Sequence, residues 1–199
     1  MSSGKEKAWD LLNGLEPARV SRDAGASYDE KTGSYILRSF SFDFLLNPSM
    51  RSMTCHSEEG LSFLNKYDFF FKGSALWYLI SAKEIPLTGR LIKPVNLAGG
   101  QLFFRGTHVL PLDGLAERYG KDKDAFIKKG KSLGAKEENY GDASITLYPF
   151  PKIPVTLILW LSDDEYPARA DMLFDSTCEL RLPLDVIWSV AMLSILAMM

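Results

Sequence analysis

The run Val155-Thr156-Leu157-Ile158-Leu159-Trp160 constrains this chain more than any other segment. Successive side chains of an extended strand point to opposite faces, which sets Val155, Leu157 and Leu159 on one side and Thr156, Ile158 and Trp160 on the other. A strand with no fully polar face must be covered on both sides, so it belongs in the middle of its sheet. Ser162, Asp163, Asp164 and Glu165 then supply turn chemistry. Beyond them Tyr166, Ala168, Ala170, Met172 and Phe174 alternate with Pro167, Arg169, Asp171 and Asp175, the pattern of a returning strand. Upstream, Ile145 and Leu147 alternate with Ser144, Thr146 and Tyr148 as a third strand. The Pro149, Pro151 and Pro154 cluster is expected to interrupt its pairing with the central one.

Elsewhere the apolar period changes. Trp9, Leu11, Leu12 and Leu15, punctuated by Gly14 and Pro17, predict two short helices forming a cap over residues 1–25. Tyr35, Leu37, Phe40, Phe42, Phe44 and Leu46 alternate with polar residues up to Asn47-Pro48, which predicts a second hairpin with one wet face. From Leu61 to Lys83 apolar side chains recur at helical spacing, with Gly73-Ser74 as the expected break. Leu102, Phe103 and Phe104 suggest a short strand before Gly106, and residues 112–133 a helix broken at Gly120. Residues 183–199 form an apolar C-terminal helix without a charge after Asp185. These elements predict one α+β domain over residues 1–199, an antiparallel sheet flanked by helices.

With 199 residues, 46% of them hydrophobic and 24% charged, the chain is long enough to bury a real core. A net charge of -2 argues against nucleic acid as a partner, because phosphate binding needs a basic surface. Cys55 and Cys178 stand far apart, and the N-terminus lacks a signal-peptide core. The expectation is a cytoplasmic protein with free thiols. The C-terminal segment is shorter than the roughly 20 apolar residues of a membrane span. It is expected to be buried in its own domain, with a homodimer seam through Trp188 and Met192 as the alternative.

The segments IPLTGRLI (85–92), GGQLFFRGTHVLPLDGLAERYG (99–120) and YGDASITLYPFPKIPVTLILWLSDDEYPARADMLFDST (140–177) resemble the family catalogued as domain of unknown function 3786. The resemblance covers most of the chain. It implies a setting in anaerobic bacteria and archaea, where some members carry an additional cysteine-rich iron-sulfur domain of the type found in corrinoid proteins. This chain lacks that part, so any cluster function is absent or supplied by an iron-sulfur or corrinoid partner protein. The resemblance implies fold and context and names no activity.

The most suggestive polar grouping is Arg105, Gly106, Thr107 and His108, where a guanidinium and an imidazole beside a glycine suit a small anionic ligand. The plainer alternative is a loop in which Arg105 pairs with an acid such as Asp171 and His108 fixes a backbone carbonyl. His108 is also a candidate axial ligand to a tetrapyrrole metal. The neighbours Cys55 and His56 would point to opposite strand faces, which disfavours a nucleophile-base pair. No cofactor is evident, and the cysteines and histidines do not have the spacing of a closed metal site. Asp163, Asp164 and Glu165 lack the spaced oxygens of a calcium loop. Three functional expectations follow. The first is a non-catalytic ligand-binding or accessory module. The second is an enzyme acting on a small anionic substrate through Arg105, His108 and Asp171, and the third a purely structural subunit.

Overall fold

In the computed structural model, which describes residues 4–199, the chain opens with helices α1 (Gly4–Asn13) and α2 (Pro17–Ala24). Pro17 occupies the first turn of α2, where its missing N–H costs nothing, and Gly25 closes the helix in the left-handed region at φ 65°. Only the first three residues of the expected cap lie outside the described range. An antiparallel meander follows, β1 (Ser27–Asp29), β2 (Ser34–Ser39), β3 (Phe42–Asn47) and β4 (Ser52–Cys55), hydrogen-bonded in that order. Its core face carries Tyr35, Leu37, Phe44 and Leu46, none more than 1% exposed.

Helices α3 (Glu58–Lys66) and α4 (Asp68–Ser81) come next. The Ser57 hydroxyl caps α3 by accepting from the Gly60 N–H. The break between the two helices falls at Tyr67, not at the Gly73-Ser74 pair that the sequence suggests. Tyr67 adopts non-helical angles, packs its ring at a tilt 4.7 Å from that of Phe63 and donates its hydroxyl to the Leu196 carbonyl. Ser74 stays within α4, and its hydroxyl returns to the Phe70 carbonyl.

After β5 (Leu91–Ile92) the chain runs through tight 3-10 turns at Pro94–Asn96, Gly100–Phe104 and Gly106–His108. The strand expected at Leu102–Phe104 is therefore a turn. Phe103 alone is buried, while Leu102 and Phe104 remain exposed. The Lys83–Arg90 loop before β5 has no regular structure of its own. Helices α5 (Leu112–Tyr119) and α6 (Lys123–Ser132) part at Gly120 as expected.

The second sheet contains β6 (Lys136–Glu138), β7 (Ala143–Phe150), β8 (Ile153–Trp160) and β9 (Arg169–Asp175), in the order β5-β9-β8-β7-β6. Strand β8 is central, and Val155 to Leu159 are all at most 6% exposed on both faces, as their apolarity requires. The prolines do not interrupt its pairing with β7. The two strands meet across a tight turn at Pro151-Lys152, and a register shift between Leu147 and Phe150 absorbs Pro149 and Pro154. Strand β9 starts at Arg169, later than the alternation implies. Asp163 organises the preceding loop by accepting the Glu165 and Tyr166 N–H groups.

The chain ends with α7 (Cys178–Arg181) and α8 (Leu184–Met198). Helix α8 buries Val190, Ala191, Leu193 and Ile195 completely against its own chain, and Trp188 and Met192 are half-buried. Among the described residues no helix is long and apolar enough to cross a membrane. A single hydrophobic core runs through both sheets, and the α+β class predicted from the sequence is the one found.

Candidate functional site

Helices α4 and α8 pack against each other, and near the start of each they leave an open groove that the 100–108 turns wall on a third side. The groove encloses about 570 Å³, within the range of roughly 300–1,000 Å³ typical of small-molecule sites. Its walls are mainly aromatic. Phe69 meets Phe70 edge-on at 5.0 Å, Phe70 meets Trp188 at 5.7 Å, and Trp188 meets the His108 ring at 4.8 Å. The Trp188 indole N–H donates to the His108 carbonyl at 2.8 Å, which ties the turn to α8. Two lining hydroxyls are consumed by the backbone, Ser74 on Phe70 and Ser189 on Asp185. The Asp185 carboxylate and the His108 imidazole remain as the titratable side chains of the lining.

Gly73 forms part of the groove wall, in the interior of α4. A helix-interior glycine costs roughly 0.5–1 kcal/mol relative to alanine and normally survives because something packs where its Cβ would be. Gly60 and Gly130 fit that rule, since a Cβ there would collide with Cys55 and Ile145. At Gly73 a Cβ would meet nothing within 4 Å and no positive φ requires glycine. The fold gains nothing from this residue; the groove gains space.

The three residues singled out in the sequence do not share a cavity. His108 lines the α4–α8 groove. Asp171, on β9, lines a separate cavity of about 240 Å³ and pairs with Lys93 at 2.9 Å, not with the anticipated Arg105. Arg105 is exposed and lines neither. His108 contributes its own carbonyl as an acceptor, whereas the expectation had its ring fixing someone else's. Cys55 is buried at the end of β4, with its thiol on the Asp43 carbonyl at 3.2 Å, while adjacent His56 is exposed. Burial, reinforced by Glu179, pushes the Cys178 thiol up to about 12. Among the described residues no three His, Cys, Asp or Glu side chains converge as metal ligands.

Asp175, at the end of β9, organises a buried polar cluster away from the groove. It is 3% exposed and accepts from the Thr177 N–H (2.9 Å), the Thr177 hydroxyl (2.7 Å) and the Gly89 N–H (2.7 Å). Burial raises its pKa, but these hydrogen bonds together with one from Thr88 outweigh burial and hold it below its ordinary value. Through the Thr177 hydroxyl it is linked to Arg181, whose guanidinium is 1% exposed and donates to the Lys83 and Ile85 carbonyls. Burial lowers the Arg181 pKa, partly offset by Tyr78 and Asp175. These contacts pin the irregular Lys83–Arg90 loop to β9 and α7.

Sequence reasoning assigned Trp188 to a buried helix or a seam and Gly73 to a helix break, and did not single out Phe70 or Trp77. The available signal was a glycine inside an otherwise sound helical run. The chain belongs to the family described as a domain of unknown function, DUF3786, whose model matches residues 16–197 and so spans the whole groove. No curated protein and no solved structure matches it.

Proposed function

We propose that this protein is a non-catalytic binding module that holds a small, largely apolar ligand in the groove between α4 and α8. The observation that carries the reading is Gly73, a glycine the helix does not need, set in a cavity of about 570 Å³ walled by aromatic side chains. An aromatic wall supplies burial energy, and a few polar groups fix orientation; here those groups are His108 and Asp185. The enzyme alternative required Arg105, His108 and Asp171 around one substrate, and their separation weighs against it. The family resemblance supports an anaerobic setting and an iron-sulfur or corrinoid protein as the partner served by the module, and the expected compartment is the cytoplasm.

The test is to fill the groove without disturbing the fold. Because nothing lies within 4 Å of a Cβ at position 73, Gly73→Phe should fold and occupy the cavity, whereas Gly73→Ala should leave it open. Naphthol, followed by quenching of tryptophan fluorescence, is expected to bind wild type and Gly73→Ala saturably and to lose Gly73→Phe. Equal binding by all three proteins, or a Gly73→Ala variant that melts well below wild type, contradicts the reading.

A further inference from the structure

We infer that the groove selects an organic cation, an alkylated or quaternary ammonium carrying an apolar group, bound between the aromatic rings and the Asp185 carboxylate. The inference rests on the ligand-binding reading above and names the class of its ligand.

The charge of the lining points this way. Among the described residues that line the groove Asp185 supplies a carboxylate, and there is no lysine or arginine. Asp185 accepts a hydrogen bond from the Ser189 hydroxyl, but through its main-chain carbonyl, and its carboxylate has neither an ion pair nor a hydrogen bond among the described residues. Its place in the first turn of α8 suits a carboxylate by way of the helix dipole, and this leaves its ion-pairing capacity unused. An anionic ligand would meet this carboxylate with no lysine or arginine in the lining to offset it. A neutral ligand would desolvate it without compensation.

The rings point the same way. A cation is attracted to the face of an aromatic ring, most strongly to that of tryptophan. Elsewhere the chain satisfies such faces itself, with Lys66 over Tyr67, Arg118 over Tyr119 and Arg169 over Trp160 at 4.0 Å. No described lysine or arginine lies over Phe69, Phe70, Trp77 or Trp188. The groove thus combines aromatic faces free of lysine and arginine with an unpaired carboxylate, in a volume suited to a small molecule.

Three probes of similar shape separate the possibilities by calorimetry: benzyltrimethylammonium, its carbon isostere neopentylbenzene, and the anion tert-butylbenzoate. Wild type is expected to bind the cation about tenfold more tightly than the isostere, a preference that needs the Asp185 carboxylate as well as the ring faces. Asp185→Asn should remove most of that preference while leaving isostere binding and the melting point nearly unchanged, and Arg105→Ala should alter neither. Equal affinity for cation and isostere overturns the inference and leaves the ligand-binding reading standing. So does tighter binding of the anion, lost in Arg105→Ala, and so does a cation preference that persists in Asp185→Asn. If none of the three binds wild type, the ligand-binding reading fails and the inference with it.

Discussion

Replacing Asp175 with asparagine should destabilise the protein far more than the same change at Asp171, four residues away on the same strand. The Asp175 oxygens accept on both sides, from the Gly89 N–H at 2.7 Å and from the Thr177 N–H and hydroxyl at 2.9 and 2.7 Å. An amide can keep one set of these bonds, but it then turns its own N–H donors toward the other. Losing a hydrogen bond to a charged group costs about 1.5–3 kcal/mol, and a buried N–H left unpaired adds to that. Arg181, 1% exposed, also loses the anion that offsets its burial. A total near 4 kcal/mol is expected, which for a chain of this size lowers Tm by about 10 °C. The Asp171–Lys93 pair is partly exposed, with side chains 28% and 51% accessible, and Asp171→Asn should cost about 1 kcal/mol or less. Calorimetric melts at neutral pH compare the two variants directly. The pH dependence supplies an internal check. The native Asp175 carboxyl sits below its unfolded value, so its contribution is complete above a pH of about 4 and is lost as pH falls through the native value. The gap in urea midpoint between wild type and Asp175→Asn should therefore narrow in acid. An Asp175→Asn protein melting within about 2 °C of wild type, where about 10 °C is expected, would refute the reasoning.

Two further outcomes follow from burial. Leu157→Asp places a carboxylate in the middle of the central strand, at a position 0% exposed, and the cost of several kcal/mol is comparable with a total stability of about 5–15. It should abolish cooperative unfolding by circular dichroism, and a soluble variant with an unchanged melt would remove β8 from the core. The Cys178 thiol, 2% exposed and held up to about 12, should resist alkylation by iodoacetamide at neutral pH until denaturant is added. Rapid native labelling, located by peptide mass mapping, would contradict its burial.

The parts of this fold that were legible in the sequence are those where one local rule decides. Val155 to Trp160 has no polar face, so its central place follows from the pleat alone, and Pro17 starts a helix because its ring permits little else. Prediction failed where tertiary partners decide. Tyr67 ends α3 because its hydroxyl finds the Leu196 carbonyl, 129 residues away, while Gly73, the stronger local breaker, is carried through. Pro149 and Pro154 looked incompatible with pairing because a one-residue register shift leaves no trace in composition. The site was the least legible part. His108 was singled out for being a histidine in a polar loop, and its position on the groove depends on Trp188, 80 residues later in the chain. Asp171 was singled out from its strand face, but its partner is Lys93, on a segment with no periodicity to place it. Trp188 read as buried in a helix, and Phe70 and Trp77 did not stand out, because an aromatic residue that lines a cavity has the same helical spacing as one that fills a core.

The chain contains four tryptophans, and they provide the most direct test of the groove. Trp77 and Trp188 line it, Trp9 is 8% exposed on α1, and Trp160 lies under Arg169 on the central strand. Nitrogen-proton correlation spectra resolve the four indole N–H signals, each assigned from a Trp→Phe variant. They can be followed while cationic, neutral and anionic aromatic fragments are titrated in. A ligand site between α4 and α8 predicts saturable shifts of the Trp188 and Trp77 signals, with those of Trp9 and Trp160 unmoved. Fragments that leave Trp188 and Trp77 unchanged, or that bind and shift only Trp9 or Trp160, would contradict it.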